Sequence, residues 1–117
     1  MSRVELWHRQ TCSNSRGALQ LLREAGIEPV IVDYIAQPPT VERLRQAIAD
    51  AGLGVRDAIR NKEPEYAARG LGDPCLSHDA LLEAMVAAPI LINRPFVFTH
   101  KGVRLCRPPE TVLELLD

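Results

Sequence analysis

The feature that most constrains this chain is a double change of apolar period within its first 35 residues. "RVELWH" has strand character, with Val4 and Leu6 on one face and bulky Trp7 close behind. "SNSRGALQLLREAG" then sets Ala18, Leu19, Leu21, Leu22 and Ala25 at helical spacing, and Gly26 supplies a C-terminal stop. "PVIVDY" reads as a second, buried strand. Strand, helix and strand make a β-α-β unit, most simply a right-handed parallel crossover.

Beyond "QPPT", Thr40 begins "TVERLRQAIADAG", a helix with Val41, Leu44, Ile48 and Ala51 on its apolar face. "VRDAIRNKEPEYAARGLGDP" reads as short helices broken by Pro64, Gly70, Gly72 and Pro74. Ser77 can cap a further helix whose apolar stripe starts at Ala80 and Leu81. "FVFTH", "KG" and "VRLC" form a hairpin with a glycine turn, and "PPETVLELLD" a terminal helix with proline in its first turn. The order β-α-β, helices, β-β-α predicts an α/β, thioredoxin-like mixed sheet of about four strands flanked by helices, with a helical insertion between the two halves.

With 117 residues, 46% hydrophobic and 25% charged, the expectation is one domain over residues 1–117. A formal net charge of −1 argues against general nucleic-acid or membrane affinity. The charge is unevenly spread: residues 94–109 carry Arg94, Lys101, Arg104 and Arg107 without an acid, so a local anion site inside a neutral protein is expected. No apolar run approaches the roughly 20 residues of a membrane span, and the charged start has no h-region, so no signal peptide is expected. Cys12, Cys75 and Cys106 lack paired spacing, unlike a secreted disulfide framework. The expected location is cytoplasmic, with the thiols reduced.

Cys12 sits where the first strand turns into the first helix, with His8, Arg9 and Arg16 as its close sequence neighbours. A helix N-terminus and nearby cations favour the thiolate, which is the nucleophilic form, so a depressed pKa is expected. Arg60 in "AIRNKEP", Arg94 in "ILINRPF" and Arg107 in "RLCRPPE" are candidate oxyanion ligands, because planar guanidinium forks bind tetrahedral anions through paired charge-assisted bonds. Arg94 and Arg107 each precede a proline, which biases them toward extended backbone at element ends.

The spacing of His8, Cys12 and Arg16, with Arg60 in its segment, "APILINRP" around Arg94 and "VRLCRPPE" around Arg107, resembles the glutaredoxin-coupled arsenate reductases nearly end to end. That resemblance implies reduction of arsenate to arsenite, an arsenic detoxification, with no bound cofactor, glutathione as co-substrate and glutaredoxin as partner, in a monomer that binds neither nucleic acid nor membrane. Cys12 would attack arsenic to give a thiol–arsenate ester, and His8 would favour the Cys12 thiolate by its positive field. Arg60, Arg94 and Arg107 would hold the oxyanion, with Ser13, Asn14, Ser15 and Arg16 completing the substrate pocket. Glutathione would then attack the arsenic, and glutaredoxin would take up the glutathione as arsenite leaves. Pro95 would be a cis-proline opposite Cys12.

One departure stands out: the turn is "CSNS", where familiar members tend to have glycine and threonine after the cysteine. Two other classes share the fold. A monothiol glutaredoxin-like thiol transferase needs Cys12 but not the three arginines. A thioredoxin-like regulator that binds RNA polymerase would be expected to use C-x-x-C, whereas Arg9 and Ser15 fill the flanking positions here. Cys106 is read as core, Cys75 with His78 as too small a set for zinc, His100 as a solvated hairpin residue, and Glu42, Arg43, Arg45 and Asp50 as the wet face of a helix.

Overall fold

A computed structural model describes residues 3–116. The chain divides into two compact units, one running to Gln37 and resuming at Arg94, the other Pro38–Asn93.

In the first unit, β1 (Glu5–His8), α1 (Ser13–Glu24), β2 (Val30–Asp33), β3 (Phe96–Thr99) and β4 (Gly102–Leu105) build a four-stranded mixed sheet of order β2-β1-β3-β4. β1 and β2 are parallel, with Glu5 opposite Val30 and His8 opposite Asp33. β1 and β3 are antiparallel, as is the β3–β4 hairpin. Strand alternation sends neighbours to opposite faces. Leu6 and its partner Val97 face α1, where Ala18, Leu22, Cys106, Val112 and Leu115 complete a buried cluster. Burying each such leucine contributes about 2 kcal/mol. Trp7, Phe96 and Phe98 lie on the other face as tilted and stacked rings 4.9 to 6.4 Å apart.

Two expectations are corrected here. β2 is not buried: it is the edge of the sheet, with Val30 and Ile31 41% and 42% exposed. The terminal segment Pro109–Leu115 is a 3-10 helix rather than an α-helix. Its buried residues, Val112 and Leu115, are three apart, which is the repeat of a 3-10 turn. Gly17 makes the close approach of α1 to this segment, since a Cβ there would lie 2.9 Å from Pro109 Cγ. Gly26, at φ +81, turns the chain out of α1 in the left-handed region that glycine tolerates.

In the second unit, α2 (Val41–Asp50) and α4 (His78–Ala87) pack together, burying Leu44, Ala47 and Ile48 on one and Leu81, Leu82 and Met85 on the other. Thr40 and Ser77 cap them by accepting from the Arg43 and Ala80 N–H groups. α3 (Pro64–Ala68) is a single short helix, which Pro64 begins at its first turn rather than breaks. Short 3-10 turns at Val55–Asp57 and Pro89–Leu91 complete the unit.

Candidate active site

The chain leaves β1 at His8, makes a turn closed by the Cys12 N–H donating to Arg9 O at 2.9 Å, and enters α1 with Cys12 as its extended N-cap. The first free N–H groups of a helix have no partner within it, and here they meet a sulfur. Cys12 is partly buried, and burial pushes its pKa up; hydrogen bonds from the Ser15 and Asn14 N–H groups and the Arg107 guanidinium outweigh this, and the net direction is down. Arg107 Nη1 stands 3.7 Å from Cys12 Sγ and donates to the Arg94 carbonyl at 2.9 Å.

Ser15 is completely buried. Its Oγ accepts from the Arg9 N–H at 3.0 Å and pairs with His8 Nδ1. The side chain therefore ties the end of β1 to the first turn of α1, and only its backbone N–H reaches the sulfur. Burial, with Arg23 and Arg16 nearby, lowers the pKa of His8 against the opposing effect of Asp33, which favours the uncharged ring. A neutral ring suits an acceptor role at Nδ1 for the Ser15 hydroxyl proton, an assignment made from the network.

Ser13 is exposed at the helix start and Asn14 partly so. Arg16 Nη1 donates to the Gln10 carbonyl at 3.0 Å, bracing the turn. The Arg94–Pro95 and Arg107–Pro108 peptide bonds are both cis. Arg94 is buried, 6% exposed. Arg60 belongs to the second unit, where its Nε pairs with Glu63 at 3.1 Å and its Nη1 donates to Asn93 Oδ1 at 3.4 Å. Cys106, fully buried in the first unit's core, has its pKa pushed up to about 12 by burial, with Glu114 adding to the rise.

The ArsC family model matches residues 7–115. This chain belongs to the ArsC family. An arsenate reductase of Rhizobium meliloti is 51% identical over 113 residues, spanning 97% of this ArsC chain and 81% of that protein. One from Escherichia coli is 43% identical over 116 residues, 99% and 82% of the two chains. The solved structure of an arsenate reductase from Vibrio cholerae aligns with a TM-score of 0.94 at 43% identity, covering 98% of each chain. The thioredoxin-like fold expected from the element order is therefore the fold found. Among the described residues, no helix is long and apolar enough to cross a membrane.

Proposed function

We propose that this ArsC-family protein is an arsenate reductase in which Cys12 is the nucleophile, glutathione the thiol co-substrate and glutaredoxin the final electron donor. The Cys12 thiolate forms an S–As bond as one arsenate oxygen leaves as water. Glutathione adds a second S–As bond with loss of another water, arsenic remaining pentavalent. The glutaredoxin thiolate then attacks the glutathione sulfur. The S–As bond breaks, its electron pair reduces arsenic to the trivalent state, and a glutaredoxin–glutathione disulfide departs. Water finally cleaves the Cys12–arsenic bond and releases arsenite. The sum is one arsenate and two thiols giving arsenite, one disulfide and one water.

The observation that carries this reading is the pair of first-turn N–H groups and the Arg107 guanidinium on one sulfur. These donors favour the thiolate before attack and sit where oxyanion charge gathers after it. Arg94, whose carbonyl accepts from Arg107, and Arg60, on its sequence motif, are the further arginines proposed to bind the oxyanion. Ser13, Asn14 and Arg16 line it, and His8 acts through Ser15 as a positioning residue. Pro95 shapes the segment carrying Arg94. All 117 residues are read as one domain working as a cytoplasmic monomer, a compartment where glutathione stays reduced.

The test is arsenate-dependent NADPH consumption in the presence of glutathione, glutaredoxin and glutathione reductase. Turnover that vanishes in Cys12→Ser is expected, since a serine hydroxyl is too weak an acid and too hard a ligand for arsenic. Absence of arsenate turnover together with activity on mixed disulfides would instead identify a thiol transferase.

A further inference from the structure

The turn that presents Cys12 has a second side. His8, Arg9, Gln10, Thr11, Ile31 and Asp33 line a cavity of about 270 Å³ at the carboxyl ends of the parallel strands β1 and β2, where His8 and Asp33 are register partners. Carboxyl ends of parallel strands are the usual place for ligands in α/β sheets.

Its lining carries one cation and one anion that do not neutralise each other. Among the described residues, Arg9 forms no ion pair and its buried Nε has no hydrogen-bond partner. Asp33 makes no ion pair either; one of its oxygens, Oδ1, accepts from the Ile35 and Ala36 N–H groups at 3.1 and 3.3 Å, which fixes the carboxylate in place. Exposed Ile31 supplies an apolar part of the lining. A free oxyanion matches Arg9 but is repelled by Asp33. A group bearing a carboxylate and an ammonium on one carbon satisfies both.

We propose that this cavity binds the zwitterionic γ-glutamyl head of glutathione, its α-carboxylate on Arg9, its α-ammonium on Asp33 and its methylene groups along Ile31. The ligand's identity rests on the thiol-dependent reading above, in which glutathione is the reactant that carries such a head. Reach is consistent. A four-residue turn closed by a first-to-fourth hydrogen bond, as Arg9 to Cys12 is, holds its end Cα atoms within about 7 Å. Two extended residues span about 7 Å, the stretch of chain separating the γ-glutamyl head from the cysteine thiol. The proposal requires the glutathione sulfur to extend from that head toward an arsenic carried on Cys12.

The experiment is calorimetric titration of the full chain with S-methylglutathione, which keeps both charged ends and cannot react. Wild type is expected to bind, and Arg9→Gln and Asp33→Asn each to weaken binding about tenfold, the loss of one charge-assisted contact. S-methylcysteinylglycine, lacking the head, should not compete. In the coupled assay the same variants should raise KM for glutathione and leave KM for arsenate and the pH profile of Cys12 alkylation unchanged. No binding by wild type, binding indifferent to both substitutions, or displacement of the ligand by phosphate alone would overturn the site. If wild type binds S-methylglutathione in this charge-dependent way yet turns over no arsenate, the site stands and the proposed reaction falls.

Discussion

At the scale of single residues, the site is a problem of stabilising charge on one sulfur. Burial opposes the thiolate, and the two N–H groups and Arg107 more than offset it. Alkylation of Cys12 by iodoacetamide should therefore inflect below the ordinary thiol pH. Arg107→Ala should move that inflection upward by removing both a donor and a positive charge, and Arg107→Lys should restore only part of it, because an ammonium lacks the planar fork. His8→Gln tests the field role expected of His8: because burial favours its uncharged form, the inflection should move little, whereas a rise as large as that of Arg107→Ala would support that role. Ser15→Ala leaves the Arg9 N–H and His8 Nδ1 without their shared oxygen and should cost about 1–3 kcal/mol in a denaturant melt. Cys12 was legible in the sequence because a strand-to-helix turn is a local pattern. Arg107 was named there as an oxyanion ligand on its motif and its resemblance, not from any local pattern that would bring it to the sulfur. His8, Arg9 and Arg16 are near in sequence, but Arg107 arrives from 95 residues away through sheet pairing that no local pattern encodes.

Among the elements, helical spacing predicted α1, α2 and α4, and alternation predicted the hairpin, since each period records which face meets the core. β2 was misplaced in burial for a related reason. A run such as Val30, Ile31 and Val32 has no alternation to mark a wet face, so an edge strand reads like a central one. The charged end of that run, Asp33, was the overlooked sign that its carboxyl end faces something other than core. The contact of α1 with the Pro109–Leu115 turn gives a prediction at this scale. Gly17→Ala gains about 1 kcal/mol of helix propensity. It also drives a methyl group to 2.9 Å from the Pro109 ring, an overpacking that costs about 1–3 kcal/mol. Overpacking should win, lowering the melting temperature by several degrees. Because Pro109 follows Arg107 by two residues, the Cys12 alkylation inflection should also rise in this variant. A more stable protein with unchanged alkylation would show that the proline yields freely.

For the molecule as a whole, two thiols of the first unit bend stability with pH in opposite senses. Cys12 has its folded pKa below the unfolded value, so the native state binds fewer protons there. Its contribution is complete above the unfolded thiol pKa, about 8.5, and is lost as pH falls through the folded value. Cys106 has its folded pKa raised to about 12, so the native state keeps a proton that the unfolded chain has released. Its contribution is complete below the unfolded value and is lost as pH rises from there toward about 12. The exposed Arg23–Glu28 and Arg45–Asp79 pairs are screened by solvent and add little to this curve. Thermal melts at intervals from about pH 6 to 10.5, bracketing the ordinary thiol range, should show stability gained toward the unfolded thiol pKa and surrendered beyond it. Differences between variants isolate each thiol from lysine and tyrosine titration. Cys12→Ser should flatten the lower rise, and Cys106→Ala should remove the upper decline on top of a pH-independent loss from its emptied place beside Leu6 and Val112. If the decline persisted unchanged in Cys106→Ala, the buried thiol would not be its source. The protein would then be losing stability at high pH through its surface, and Cys106 would be a packing residue whose proton plays no part in folding.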